Sequence, residues 1–205
     1  LKMGEVVNVV AQRSGANAVI VTDVGQNQMF ACRYFKFRKG RSVVSSGGCG
    51  TMGFGLPAAI GATLGAPDRT VCLFVGDGGL QMTIQELGTI MEQKSPVKII
   101  LLNNNFLGNV RQWQYMFFDK HYSFTPMLNP DYEKIASAYS IPCRSVADRA
   151  ELVGAIRLPN TAFKQTAGTE VVADILFFKK REEMISELTM LSLSVVTVWL
   201  IAVII

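Results

Sequence analysis

The sequence predicts an α/β protein, a doubly wound parallel sheet with helices on both faces. Short β-branched runs alternate with longer helical patterns along most of the chain. That order is what a parallel sheet covered on both faces requires. Two apolar runs, residues 71–75 and 97–102, stop abruptly at polar residues: Gly76-Asp77-Gly78-Gly79 after the first, Asn103-Asn104 after the second. In open α/β sheets such stops mark the strand ends that face a ligand crevice. At 205 residues the chain is also long enough to bury a core as one domain.

Each element has a local reason. Residues 3–13 read as an amphipathic helix with Val6, Val7, Val9 and Val10 on its apolar side. Residues 18–21 form a short strand ending at Thr22-Asp23, residues 25–34 a loop running into a helix, and residues 41–45 another strand. A helix of small residues follows at 54–64, with Pro57 in its first turn, where a missing N–H is harmless. Residues 70–75 are a strand, 83–93 a helix and 98–102 a strand. Helical patterns occupy 108–117 and 131–139, the second opening after Asn129-Pro130. No internal repeat is visible.

Composition excludes some functions. A formal charge of +4 is weak, and the basic residues are scattered without interleaved aromatics, so nucleic acid is not a partner. Cys32, Cys49, Cys72 and Cys143 form no C-x-x-C pair and sit in apolar or glycine-rich surroundings. Reduced thiols in a cytoplasmic setting are expected. The chain opens on Leu1 with no charged-apolar-small leader, which reads as a fragment rather than a secreted precursor.

Neighbouring parallel strands at 71–75 and 97–102 would bring Asp77 and Asn104 out side by side. A carboxylate with an amide oxygen suits Mg²⁺, which takes one or two protein oxygens and completes its shell with phosphate and water. Gly78 and Gly79 let a phosphate approach backbone N–H groups at a helix N-terminus. A Gly-Asp-Gly alone is commonly a turn; this one gains weight from the strand before it and from Asn104. The stretch Gly48-Cys49-Gly50-Thr51-Met52-Gly53 also fits G-x-G-x-x-G between a strand and a helix. A dinucleotide reading would enlist Asp77 for a ribose hydroxyl but leaves Gly78, Gly79 and Asn103-Asn104 without purpose. It is set aside.

Gly-Asp-Gly followed by a spacer and Asn-Asn resembles the signature of thiamine diphosphate enzymes. Four blocks narrow the resemblance to the large catalytic subunit of acetolactate synthase. They are Thr22-Asp23-Val24-Gly25-Gln26-Asn27-Gln28-Met29, the glycine-rich run 45–62, the run 76–87, and Val110-Arg111-Gln112-Trp113-Gln114. The resemblance spans residues 1–157 and fades beyond. It implies the diphosphate-binding domain of that fold, with Mg²⁺ held by Asp77, Asn104 and the backbone carbonyl of Phe106. It implies thiamine diphosphate on Val24, Gly25, Gln26 and Asn27, with Gly50 at the aminopyrimidine and Met52 as the wedge that bends the cofactor. Asp77, Gly78, Gly79 and Asn104 meet the diphosphate; Phe106, Leu107, Gly108, Asn109 and Val110 continue toward the thiazolium side. Met82 and Trp113 fall at the substrate funnel. Two positions depart from the pattern: Asn27 stands where the family usually has His, and Asn109 where many members have Met. Without the resemblance Met52 reads as a core methionine and Trp113 as a core or interface aromatic. His121 has no visible partner and is given no catalytic role.

The implied activity is condensation of pyruvate with a second 2-oxo acid, pyruvate or 2-oxobutyrate, with release of CO₂, in branched-chain amino acid biosynthesis. The glutamate that relays a proton to the aminopyrimidine belongs, in the resembling family, to an N-terminal domain, so no catalytic residue is expected on this chain. The isolated 205 residues are expected to be inactive. FAD is associated with the middle domain of the full-length subunit and not with this segment. Homodimers or homotetramers of that subunit and a small regulatory subunit are the implied partners. The competing reading is a stand-alone, non-catalytic thiamine diphosphate and Mg²⁺ binding module. Three segments are expected: residues 1–157 as the cofactor domain, 158–187 as a divergent linker or domain end, and 188–205 as an apolar tail. That tail carries no charge and sits at the lower edge of a transmembrane span, with Lys179-Lys180-Arg181 on its flank. An aberrant C-terminus is the alternative, and membrane association is left open by it.

Overall fold

The computed structural model describes residues 1–37, 40, 42–155 and 174–179. Helix α1 (Met3–Arg13) precedes β1 (Val19–Thr22), α2 (Gln26–Tyr34) and β2 (Val43–Ser45). Helix α3 (Gly55–Gly65) leads to β3 (Val71–Gly76), α4 (Asp77–Met82), α5 (Glu86–Gln93) and β4 (Lys98–Asn103). Then come α6 (Gly108–Phe117), α7 (Tyr132–Ala138), β5 (Cys143–Val146), α8 (Arg149–Ala155) and β6 (Asp174–Lys179). All strand pairs are parallel, in the order β2-β1-β3-β4-β6-β5. The expected doubly wound sheet is present.

Strand alternation builds two cores. Val19, Val21, Val71, Leu73, Val75, Ile99 and Leu101 face α3, α5 and α7, where Leu56, Ile60, Leu87, Ile90 and Ala136 meet them. Ile20, Cys72, Phe74, Ile100 and Leu102 face the other way, against Val6, Val7 and Val10 of α1 and Leu152 of α8. The central strands β1 and β3 are therefore buried on both faces, which is why they read as unbroken apolar runs. The chain steps from β1 outward to β2, then crosses back over β1 to β3. This reversal leaves a crevice between the carboxyl ends of β1 and β3, the usual ligand site of such sheets.

Four local features differ from the reading above. Asp77–Met82 is a helix beginning directly after β3, not a loop ahead of a single helix at 83–93. Two glycines argue against helix on propensity alone. Burial of Leu80, close approach of Gly79 to Asp23 and of Gly78 to Leu107 and Met52 override that preference. Strand β5 and helix α8 follow α7; β5 is a short edge strand whose first three residues are partly or fully exposed, so it shows no apolar run. Strand β6 pairs between β4 and β5. Among the described residues no helix is long and apolar enough to cross a membrane. The tail 188–205 and most of 158–187 lie outside the described residues.

All four cysteines are unpaired. Burial pushes the Cys72 and Cys143 thiols up to about 12, and raises Cys32 for the same reason. A thiol at that value is about one part in ten thousand thiolate at pH 8. Iodoacetamide at pH 8 is therefore expected to label exposed Cys49 in the native protein, and Cys72 only after denaturation. Rapid native labelling of Cys72, read by mass spectrometry, would show that β3 is not enclosed as described.

Candidate functional site

The crevice at the reversal point is floored by glycine. Gly25 has φ 145° and ψ −162°, a backbone open essentially to glycine alone, and it starts α2. A Cβ on Gly78 would come within 3.0 Å of Leu107 and 3.4 Å of Met52. One on Gly108 would come within 3.0 Å of Asn104 and closer still to Gln26. The first residues of α2, α4 and α6 (Gln26, Asp77 and Gly108) all border one cleft. Three helix N-termini thus present free N–H groups and the positive ends of their dipoles to the same space. The cleft is partly open to solvent.

Among the described residues Asp77 is the only ionisable one lining it. The residue is 2 % exposed, and burial raises its carboxyl above the ordinary value. The Asn129 amide and nearby backbone N–H groups oppose that shift. Among the described residues no lysine or arginine borders the cleft, so an anion here would meet an uncompensated carboxylate. A divalent cation removes the conflict. The oxygens to hold one are close by. Asn104 Oδ1 accepts from the Phe106 N–H at 3.0 Å, which ties the loop after β4 into a turn. Among the described residues nothing donates to the Phe106 carbonyl. Asn104 also reaches Gln26 Oε1 at 3.4 Å, and Gln26 donates to Gln112 of α6 at 3.0 Å. The donor set of one carboxylate, one amide and one carbonyl fits a hard cation.

The residues expected from sequence are brought together with few exceptions. Val24, Gly25, Gln26, Asn27, Met52, Asp77, Gly78, Gly79, Asn104, Phe106, Leu107, Gly108, Asn109 and Val110 all border the cleft. Asn27 is inside it in an unexpected way: its Nδ2 donates to the carbonyls of Asp23 at 2.8 Å and Phe74 at 3.1 Å. Its protons thus hold β1 to β3. Asn109 Oδ1 is buried with no partner, an acceptor awaiting a donor. Gly50 lies in an exposed turn at φ 60°. Met82 and Trp113 are both more than half exposed, and none of these three borders the cleft. His121 is exposed, and among the described residues its ring bonds the Phe118 carbonyl.

Asp23 was not singled out by the sequence reading, although it ends β1 as Asp77 follows β3. It is fully buried. Its carboxylate accepts the N–H groups of Val24 at 2.8 Å, Gly53 at 3.2 Å and Gly55 at 2.7 Å. That one side chain clamps the glycine-rich turn to the end of β1. A Cβ on Gly79 would overlap the Asp23 carboxylate, and one on Gly55 would lie 2.9 Å from the Asp23 backbone. Gly79→Ala is expected to destabilise the fold by about 1–3 kcal/mol, the usual penalty for overpacking. Urea denaturation measures it, and a variant as stable as the parent would show that Asp23 can move.

A parallel α/β sheet with a glycine-lined crevice at its reversal point is the architecture of a cofactor-binding domain. The chain belongs to the thiamine pyrophosphate enzyme family, whose C-terminal TPP binding domain matches residues 23–167. It is 44 % identical over 138 residues to the acetolactate synthase large subunit of Lactococcus lactis, covering 67 % of this chain and 24 % of that protein. It is 43 % identical over 147 residues to the acetolactate synthase isozyme 2 large subunit of Escherichia coli, covering 71 % and 27 %. The chloroplastic acetolactate synthase 1 of Nicotiana tabacum is 45 % identical over 159 residues, covering 74 % and 24 %. The chain spans about a quarter of the length of the curated relatives it matches.

Proposed function

We propose that this chain is the Mg²⁺-diphosphate half of an acetolactate synthase active site. The observation that carries the reading is the convergence of Asp77, Asn104 and Phe106 with three helix N-termini on one cleft. Asp77, Asn104 and the Phe106 carbonyl would hold Mg²⁺. The N–H groups at the starts of α2, α4 and α6 would receive the diphosphate, with Gly25, Gly78, Gly79 and Gly108 keeping the approach clear. Met52, Leu107 and Val110 give the cofactor rings an apolar wall, and Asn109 Oδ1 supplies an acceptor for a ring-borne N–H. When bound, thiamine diphosphate supplies the carbon nucleophile that releases CO₂ from a 2-oxo acid.

The substrates in this reading are pyruvate and a second 2-oxo acid such as 2-oxobutyrate. Met82 and Trp113, exposed on α4 and α6, would face substrate once further protein covers them. Residues 1–157 would form the cofactor domain. With only Asp77 ionisable among the described cleft residues, the general base of this reading belongs to the rest of a longer subunit, as does FAD. The isolated chain is therefore a binding unit. Homo-oligomers of a longer subunit, with a small regulatory subunit, complete the proposed assembly. Calorimetric titration of thiamine diphosphate with and without Mg²⁺ tests the core of it. Cation-dependent binding at one site is expected; binding indifferent to Mg²⁺ would refute it.

A further inference from the structure

Asn129 precedes Pro130 and α7, far in sequence from Asp77, yet its side chain lies against the Asp77 carboxylate. Its Nδ2 donates to Asp77 Oδ2 at 2.7 Å, and Asn103 Oδ1 and Asn105 Oδ1 each lie 3.0 Å from the same nitrogen. Its Oδ1 accepts from Gln81 Nε2 at 2.7 Å and from the Tyr132 hydroxyl at 3.2 Å. Turning the amide over would set its oxygen against three other oxygens, so the network admits one orientation. Two protons are offered to three acceptors, and the charged one has the shortest bond. One side chain thus ties together α4, the turn after β4 and α7.

This arrangement constrains the carboxylate. No side chain other than Asn129 donates to it among the described residues, and that bond occupies Oδ2. With the amide fixed on Oδ2, a cation taking one carboxylate oxygen would take Oδ1, beside the backbone N–H groups that also bond the carboxylate. Mg²⁺ demands near-octahedral geometry from single oxygens, whereas Ca²⁺ accepts a carboxylate through both oxygens in a looser, larger shell. The geometry points to Asn129 as a positioning residue that keeps Asp77 a one-oxygen ligand and so sets the site's preference for Mg²⁺ over Ca²⁺. The inference rests on the metal site proposed above.

The experiment titrates Mg²⁺ and, separately, Ca²⁺ into the chain at saturating thiamine diphosphate, by calorimetry. Asn129→Ala is expected to weaken Mg²⁺ about 10- to 100-fold, the usual cost of losing a partner of a metal ligand. Ca²⁺ should be weakened much less, because the freed Oδ2 can join its shell. The Mg²⁺/Ca²⁺ affinity ratio then falls about tenfold or more. Tyr132→Phe, which removes the hydroxyl that Asn129 shares with Gln81 and the Asp77 carbonyl, should lower the ratio in the same direction by less. Equal losses for both ions in Asn129→Ala would overturn the inference, since a merely structural role weakens every cation alike. If Asn129→Ala does not fold by circular dichroism, Tyr132→Phe decides, and an unchanged ratio there overturns it. A parent chain with no cation-dependent binding would instead refute the metal site itself, and this inference with it.

Discussion

Asp77→Ala is expected to abolish Mg²⁺-dependent binding of thiamine diphosphate by this chain. The diphosphate would lose the cation that bridges it to the sheet edge, and the described cleft residues include no lysine or arginine to take its place. Asn104→Ala should weaken binding less, because water can replace a neutral oxygen ligand. Asp77→Asn separates binding from folding. It keeps an oxygen for the Asn129 amide but removes a buried charge that has no cationic partner among the described cleft residues. Burial holds that carboxyl above its ordinary value, so the ionised group costs the folded state stability at neutral pH. Asp77→Asn should therefore melt higher than the parent in the absence of metal while failing to bind the cofactor. Thermal denaturation and calorimetry on the same preparations check both halves. Unchanged cofactor affinity in either Asp77 variant would remove the site from this cleft.

That trade locates what was legible in the sequence. Asp77 and Asn104 were readable because each ends or follows a strand buried on both faces, and a polar stop after an apolar run carries a direction as well as a position. Their meeting in the structure follows from β3 and β4 being adjacent parallel partners. Asp23 offered the same signal at the end of β1 and could have been found by it; its role as a clamp for Gly53 and Gly55 could not, because those partners lie across a turn. Asn129 gave no local sign at all. Its partners Asp77, Gln81 and Asn103 come from elements distant in the chain, and only the folded sheet brings them to one amide. Helix α4 was hidden by its two glycines, whose reason is steric rather than conformational. Strand β5 was hidden by its place at the sheet edge, where exposed faces erase the apolar pattern.

The purified chain is expected to make no acetolactate from pyruvate even with thiamine diphosphate, Mg²⁺ and FAD supplied. Holding a cofactor and activating it are separate tasks here. The proposed metal and diphosphate ligands border this cleft, but Asp77 is the only titratable group among its described residues, and a metal-bound carboxylate cannot also relay protons. A positioned general acid or base is worth about 10²–10⁴-fold in rate. The cleft is also open on one side, so water would compete for any reactive carbon formed within it. The chain spans about a quarter of its relatives, and the remainder of such a protein is where a base and a cover would come from. Fusing the preceding three quarters of a relative such as the Lactococcus lactis subunit ahead of Leu1 should therefore bring turnover up from background. A colorimetric acetoin assay reads both preparations. Robust acetolactate formation by the 205 residues alone would show that this chain supplies its own base, and that the division of the active site proposed here is wrong.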